Sequence, residues 1–244
     1  MTEVFANERV DDLEINGLKL IQNPDGYCFT SDSVLLANSV AVRKRDRILD
    51  IGTGSGIIAV LLAGKLGANS VTAVEIQDEV AAVARRNVIL NGLSDKIDVV
   101  TASLAEFAAA TPCESFDTVV TNPPYKKTDA GKMDENPVRA ISKYELKLSL
   151  AELIRDAAKL LKFGGKFYMV HRADRLAECI FELKKNKIEP KVLTLVYPKA
   201  DKSPDVVIYE CIKGAAAGIK IRSLTVFGAD GGYTHEAKKM YAKD

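Results

Sequence analysis

The sequence contains no tryptophan, only two histidines and only four cysteines among its 244 residues. The cysteines, Cys28, Cys113, Cys179 and Cys211, are scattered with no C-x-x-C pair, which argues against a metal site and predicts buried thiols. Two histidines leave little for a zinc hydrolase or a serine-type triad, and His171 is the single candidate base. Long apolar runs are missing too, since the longest, Ile57 to Ala63, is far too short to span a bilayer. The opening MTEVFANERVDD is acidic where a secretion signal would be basic and then apolar, so a soluble cytoplasmic protein is expected. An excess of one charge is lacking as well: 34 Lys and Arg against 33 Asp and Glu leave +1, which by itself points to no polyanionic partner. The sum hides an asymmetry. Residues 1–122 carry 10 Lys and Arg against 17 Asp and Glu, and residues 123–244 carry 24 against 16. Solvated helix faces explain such a split as readily as a binding patch.

At 47% hydrophobic and 27% charged, the composition is that of a globular chain able to bury a sizeable core in one domain. From about residue 46 short apolar runs alternate with helical stretches, the pattern of a parallel α/β sheet with helices on both faces. Seven strands are predicted: Arg47–Ile51, Ser70–Glu75, Lys96–Val100, Phe116–Thr121, Lys166–Val170, Lys191–Tyr197 and Val206–Cys211. Helices are predicted over Ser31–Val42 behind a Thr30 or Ser31 cap, over Asp78–Leu90 stopping at Asn91-Gly92, and over Tyr144–Leu161 stopping at Gly164-Gly165. The segment Ile219–Asp244 offers a strand, an Asp230-Gly231-Gly232 turn and a short helix capped by Thr234. The expected layout is a domain over 46–213 with extensions over 1–45 and 214–244, all in one structural unit.

Three segments carry chemistry. Arg47-Ile48-Leu49-Asp50-Ile51-Gly52-Thr53-Gly54-Ser55-Gly56 is a buried strand entering a glycine loop and then a helix, which brings a nucleotide-like ligand against backbone N–H groups where a Cβ would block the approach. A dinucleotide loop would place its third glycine at position 57, which is Ile57, so a nicotinamide oxidoreductase is disfavoured. Glu75 ends the second strand, 25 residues after Asp50, where an acid can accept hydrogen bonds from both ribose hydroxyls; a surface glutamate beside a plain turn would look the same. Asn122-Pro123-Pro124-Tyr125 follows the strand Phe116–Thr121 at the sheet edge where α/β folds bind ligands. The Pro-Pro step fixes the backbone, sets the Pro123 carbonyl beside the Asn122 side-chain carbonyl, and leaves Tyr125 free to stack on something flat. A proline turn with a solvent-facing tyrosine is the bland alternative.

In this order, the three segments resemble the class I S-adenosylmethionine-dependent methyltransferases, and within them the N-P-P-Y enzymes that modify planar exocyclic or amide nitrogens. The resemblance implies a Rossmann-like fold and S-adenosylmethionine as cofactor. It assigns Asp50, Gly52, Thr53, Gly54, Gly56, Glu75 and Asn122 to cofactor binding. Where the family often has an acid touching the adenine, this chain has Ser103. Asn122, Pro123 and Tyr125 are implied as catalytic, with Pro124 and Tyr125 at the substrate. The polar, aperiodic stretch over 126–139 reads as a loop closing over the substrate with Lys126, Lys127, Lys132 and Arg139 near phosphates, or equally as an ordinary solvated loop. The leader Gln22 to Leu36, the stretch His171 to Leu176, the Tyr197-Pro198-Lys199 step and Gly231-Gly232-Tyr233-Thr234 are similar to the bacterial tRNA adenine-N6 methyltransferases that modify the adenine beside the anticodon of a valine tRNA. That likeness implies an RNA substrate, no metal and no obligate protein partner, and it brings Phe29 and Asp32 toward the cofactor, although a core aromatic and a helix cap explain them equally well.

Other N-P-P-Y enzymes methylate a glutamine amide of release factors or guanine N2 in ribosomal RNA. The former carry a large helical domain before the glycine loop, against 49 residues before Asp50 here, and the latter often carry a duplicated domain. DNA adenine enzymes usually need an added recognition region for which there is little room. A non-catalytic binding module on the same fold is the rival from another class, and an intact glycine loop with an intact N-P-P-Y argues against it. His171 is expected to cap the helix that follows it. Lys184, Lys185, Lys187 and Lys191 would matter only on the ligand side, and Arg43-Lys44-Arg45 is expected on the opposite edge.

Overall fold

A computed structural model describes residues 2–24, 28–125 and 148–241. Its centre is an eight-stranded sheet. In chain order the elements are β1 (Arg9–Asp12), β2 (Lys19–Gln22), α1 (Ser31–Ser39), β3 (Arg47–Ile51), α2 (Ile57–Val60, continuing as a π-helical turn over Leu61–Lys65), β4 (Ser70–Glu75), α3 (Asp78–Leu90), β5 (Ile97–Thr101), α4 (Leu104–Ala110), β6 (Phe116–Thr121), α5 (Leu150–Leu160), β7 (Leu161–Arg172), α6 (Leu176–Lys185), β8 (Ile188–Lys199), β9 (Val206–Lys213), β10 (Lys220–Phe227) and α7 (His235–Tyr241). The sheet order is β10-β8-β9-β7-β6-β3-β4-β5, and β9 alone runs antiparallel to its neighbours.

Alternation along the strands builds two cores, because successive side chains leave a strand on opposite faces. Ile48, Val120, Tyr168, Val170 and Ile208 pack on one face with Leu36, Ile58 and Leu62 of α1 and α2. Leu49, Val119, Phe167, Met169 and Tyr209 pack on the other with Leu153 and Ile154 of α5 and Cys179 and Leu183 of α6. Helices α4 and α5 begin with the same device: Ser103 and Ser149 each accept the amide of the glutamate three residues on, Glu106 and Glu152, whose carboxylates return to the serine amides.

The chain moves outward through β3, β4 and β5, then crosses back to place β6 on the other side of β3. The strand ends around this switch point are level, with Ile51 paired to both Val74 and Thr121, and Glu75 to Thr101. An open α/β sheet leaves its ligand crevice there.

The sheet has one strand more than the seven predicted, because β10 of the C-terminal extension pairs in parallel with β8. The turn and helix after it are as expected: Gly232 N donates to Asp230 Oδ1 at 3.1 Å, and Ala237 N donates to Thr234 Oγ1 at 3.1 Å. Helix α7 returns onto α1. Strand β7 begins at Leu161 rather than Lys166: Phe116 pairs with Leu161 and Thr118 with Lys166, so Gly164-Gly165 is a bulge inside the strand instead of a turn before it. A Cβ at Gly165 would lie 2.8 Å from the Lys162 carbonyl and 3.0 Å from that of Asp117. The predicted helix start at Tyr144 lies outside the described residues.

The N-terminal extension adds the unpredicted β1–β2 hairpin. Asn87 Oδ1 accepts the Ile21 amide at 2.6 Å and its Nδ2 donates to the Ile21 carbonyl at 3.0 Å; one turn on, Asn91 serves Lys19 in the same way at 2.9 and 2.8 Å. Four residues of helix rise about 6 Å and two of strand about 6.6 Å, so a helix face can mimic a neighbouring strand over this length. Of the four cysteines, Cys179 and Cys211 are buried, whereas Cys28 is half-buried and Cys113 exposed, which corrects the uniform burial expected. Among the described residues no helix is long and apolar enough to cross a membrane and no cluster of potential metal ligands occurs.

Candidate active site

The glycine loop between β3 and α2 is a left-handed staircase. Gly52, Gly54 and Gly56 have φ of 67°, 58° and 86°, a region where L side chains are strained, so the alternation of glycines is a backbone requirement as well as a matter of close approach. The amides of Gly52 and Thr53 both donate to the Val74 carbonyl, at 2.9 and 3.0 Å. A Cβ on Gly52 would meet nothing within 4 Å, so the loop borders open space there.

Asp50 sits under this loop at 0% exposure. The Thr53 hydroxyl donates to its Oδ2 at 2.6 Å, but Oδ1 has no hydrogen-bond partner among the described residues, and the Ser55 hydroxyl is likewise buried and unpaired. Burial pushes the Asp50 carboxyl up to about 7, aided by the charge of Glu75 and opposed by the Thr53 hydroxyl and, more weakly, by the Ala59 amide, which approaches without closing a full hydrogen bond to Oδ1. Buried polar atoms without partners are costly, and their collection beside a glycine loop fits a polar ligand whose donors complete them.

Glu75 at the end of β4 accepts the Gly54 amide on Oε2 and the Gln77 amide on Oε1, each at 3.0 Å. Its carboxyl is raised by burial and lowered by these amides. The Ile76 amide and the Gln77 side chain also reach this carboxylate, so a pair of ribose hydroxyls would share its acceptor positions with them or displace them. Ser103 is less available: its hydroxyl donates to Glu106 Oε2 at 2.6 Å and accepts the Glu106 amide at 3.2 Å, and its own amide donates to the same carboxylate.

The N-P-P-Y segment stands beside the glycine loop because Thr121, ending β6, donates its hydroxyl to the Ile51 carbonyl of β3 at 3.0 Å. Asn122 is half-buried and anchored on α1, its Nδ2 donating to Ser33 Oγ at 2.8 Å. Tyr125 is not the loose side chain expected. Its hydroxyl lies 2.7 Å from Asn122 Oδ1 and 3.1 Å from Asp32 Oδ2, its ring packs on His171 with centroids 5.3 Å apart, and its carbonyl accepts from Arg175 Nη1 at 3.1 Å. Arg175 is steadied in turn by Glu178. His171 therefore caps no helix. It lies within β7 at 0% exposure, Nδ1 accepting the Arg172 amide at 2.9 Å and Nε2 unpaired among the described residues; burial and the nearby Arg175 push it down to about 4, so it is neutral.

Asp50, Gly52, Thr53, Gly54, Gly56, Glu75, Asn122, Pro123, Pro124 and Tyr125 thus gather at one sheet edge, with Asp32 joining through Tyr125. Phe29 packs against the core instead. Lys126, Lys127 and Arg139, and the loop proposed to close, lie outside the described residues. Lys184 and Lys185 pair with Glu189 and Glu182 where α6 leads into the start of β8, on the edge away from the site, and Arg43 to Arg45 precede β3 on that same edge. The contacts of Ser33, His171 and Arg175 are not legible in sequence because each joins residues tens of positions apart, although the His171 to Leu176 stretch carries part of the family likeness.

Residues 29–189 match the family model described as a methyltransferase small domain. The tRNA1(Val) (adenine(37)-N6)-methyltransferase of Parabacteroides distasonis is 30% identical over 219 residues, covering 87% of this chain and 90% of that one. The enzyme of the same name from Shewanella woodyi is 28% identical over 182 residues, 73% of this chain and 74% of its own. Among solved structures, one titled a predicted O-methyltransferase from Agrobacterium tumefaciens superposes with a TM-score of 0.69 at 24% identity, over 87% of this chain and 96% of that one, a likeness of fold. The chain belongs to the methyltransferase small-domain family.

Proposed function

We propose that this protein transfers a methyl group from S-adenosylmethionine to the exocyclic N6 of an adenine in tRNA, the adenine beside the anticodon of a valine tRNA. The observation that carries the reading is the Asn122 amide, held on a rigid Pro-Pro turn directly beside the glycine loop. The names of the relatives supply the choice of tRNA and adenine.

In this reading the cofactor is held by Asp50, Gly52, Thr53, Gly54, Gly56 and Glu75, with Asn122 at its reactive end and Ser103 at the adenine. When bound it supplies a methyl group already activated on a sulfonium. Everything else falls to the chain. An adenine amino group is a weak nucleophile because its lone pair is delocalised into the ring. Asn122 Oδ1 and the Pro123 carbonyl each accept one N6 hydrogen, which favours the pyramidal nitrogen that develops toward the transition state. The turn aligns that nitrogen for in-line displacement. The surplus proton leaves the methylated nitrogen after transfer. Tyr125 and Pro124 flank the base, which must be turned out of its stack, and Lys126, Lys127 and Arg139 serve the phosphates. Residues 46–213 form the methyltransferase domain, with 1–45 and 214–244 as extensions of one unit, acting in the cytoplasm on RNA.

The test is label transfer from methyl-labelled S-adenosylmethionine to an unmodified valine tRNA transcript. Incorporation is expected, and it is expected to vanish when the adenine beside the anticodon is replaced by guanine. Equal labelling of both transcripts would overturn the assignment of that adenine.

A further inference from the structure

Ser33, Asn122, Tyr125 and Asp32 form a hydrogen-bonded run in which one proton decides the polarity of the whole. Tyr125 Oη lies 2.7 Å from Asn122 Oδ1 and 3.1 Å from Asp32 Oδ2, yet a hydroxyl has a single hydrogen to donate. Two arrangements satisfy both contacts at once. In the first, Asp32 is protonated and donates to Tyr125, Tyr125 donates to Asn122 Oδ1, and Asn122 Nδ2 donates to Ser33 Oγ at 2.8 Å. In the second, Asp32 is a carboxylate and takes the Tyr125 hydrogen. The Asn122 amide is then turned over, donating to the Tyr125 oxygen and accepting from Ser33. The two ends of an amide are nearly isosteric, so the same heavy-atom positions serve both. The 2.7 Å separation is the usual length of an O–H···O bond, shorter than the usual N–H···O bond, and favours the first.

We propose that Asp32 is a positioning residue for Asn122: acting through the Tyr125 hydroxyl, its proton decides whether the Asn122 amide presents an acceptor or a donor on the Tyr125 side. The inference rests on the reading of Asn122 Oδ1 as the acceptor for a target amine. Only the first arrangement presents that oxygen. The second turns an N–H toward an N–H.

The surroundings of Asp32 shift its ionisation upward. Burial raises its carboxyl most, and the charge of Asp205, just before β9, raises it further; the hydroxyls of Tyr125 and Thr30 and the charge of Arg172 at the end of β7 pull it down. The other titratable neighbours among the described residues are Tyr241 on α7, bonded to Ser31 beside it, and the neutral His171 against Tyr125. A raised carboxyl keeps its proton to higher pH, so the competent arrangement holds below that titration and is lost as pH rises through it.

The experiment follows the side-chain amide resonances of Asn122 by NMR in the full chain without RNA, and in parallel the pH dependence of kcat on tRNA, for the wild type and Asp32→Asn. The Asn122 signals are expected to shift with a single titration above the ordinary carboxylate range and to stay still in the variant. A fall of kcat as pH rises through that titration is expected in the wild type and not in Asp32→Asn. Stationary Asn122 signals in the wild type, or an identical titration in the variant, would overturn the proposal. Signals that track Asp32 in a protein that methylates no tRNA adenine would uphold the coupling and bring down the substrate assignment instead.

Discussion

Asp50 holds the clearest conflict between stability and function at the level of a single residue. Its carboxyl is fully buried, and burial pushes it up to about 7 against an ordinary 3.8. Because the folded value is raised, the folded state binds the extra proton between these limits, and stability declines as pH rises from 3.8 to about 7. Asp50→Asn cannot ionise. Its melting temperature is therefore expected to exceed that of the wild type at pH 8 and to lose that advantage at pH 5, while S-adenosylmethionine binding weakens at both. Scanning calorimetry with titration calorimetry checks this, and a variant equally destabilised at the two pH values would contradict it. Tyr125 gives a second prediction. Base-aromatic stacking contributes about 1–3 kcal/mol, so Tyr125→Ala is expected to raise KM for tRNA and leave residual transfer, whereas loss of S-adenosylmethionine affinity would place the ring elsewhere.

At the scale of elements, the strands and their loops were readable where the chemistry imposes rare residues at fixed spacing. The glycines at 52, 54 and 56 each take a left-handed φ, and the Asn122 to Tyr125 turn follows a run of buried residues, so both announce themselves in one short window. The hairpin β1–β2 did not, because Asn87 of α3 and Asn91 at its C-terminal cap hold β2 from more than sixty residues away and nothing local in Lys19–Gln22 requires it. Gly164-Gly165 misled for the opposite reason: a bulge and a turn ask for the same residues. Ser33, His171 and Arg175 are site neighbours through tertiary contact alone. Asn87 also donates to the Ser55 carbonyl at 2.9 Å, tying hairpin, helix and glycine loop together. Asn87→Ala would leave the buried Ile21 amide unpaired and is expected to cost about 2–4 kcal/mol, against less than about 1.5 kcal/mol for the more exposed Asn91→Ala. Equal losses in urea denaturation would mean that the buried pairing is not what anchors the hairpin.

At the scale of the whole molecule, one source of acid sensitivity lies in the sheet beside the site. His171 is buried and neutral with a folded value near 4, against 6.5 for the free side chain. Between those limits the unfolded chain binds a proton that the folded chain does not, so His171 contributes fully to stability above pH 6.5 and loses that contribution as pH falls toward 4, about 3 kcal/mol at most. His171→Phe keeps a ring against Tyr125 and cannot titrate. Its unfolding free energy is expected to fall less than that of the wild type between pH 7 and pH 4.5; parallel falls would assign the acid loss to other groups. Asp50 works in the opposite sense across this range, so the comparison must be between variant and wild type at each pH.

The central claim is that the Asn122 turn delivers a methyl group to an adenine amine in tRNA, and the most direct measurement is nucleoside mass spectrometry. Bulk tRNA from cells lacking the gene is incubated with S-adenosylmethionine and either the wild-type protein or Asn122→Ala. New N6-methyladenosine with the wild type, and none with the variant, is the predicted result. A methylated guanine, no methylated nucleoside at all, or full activity in Asn122→Ala would contradict it.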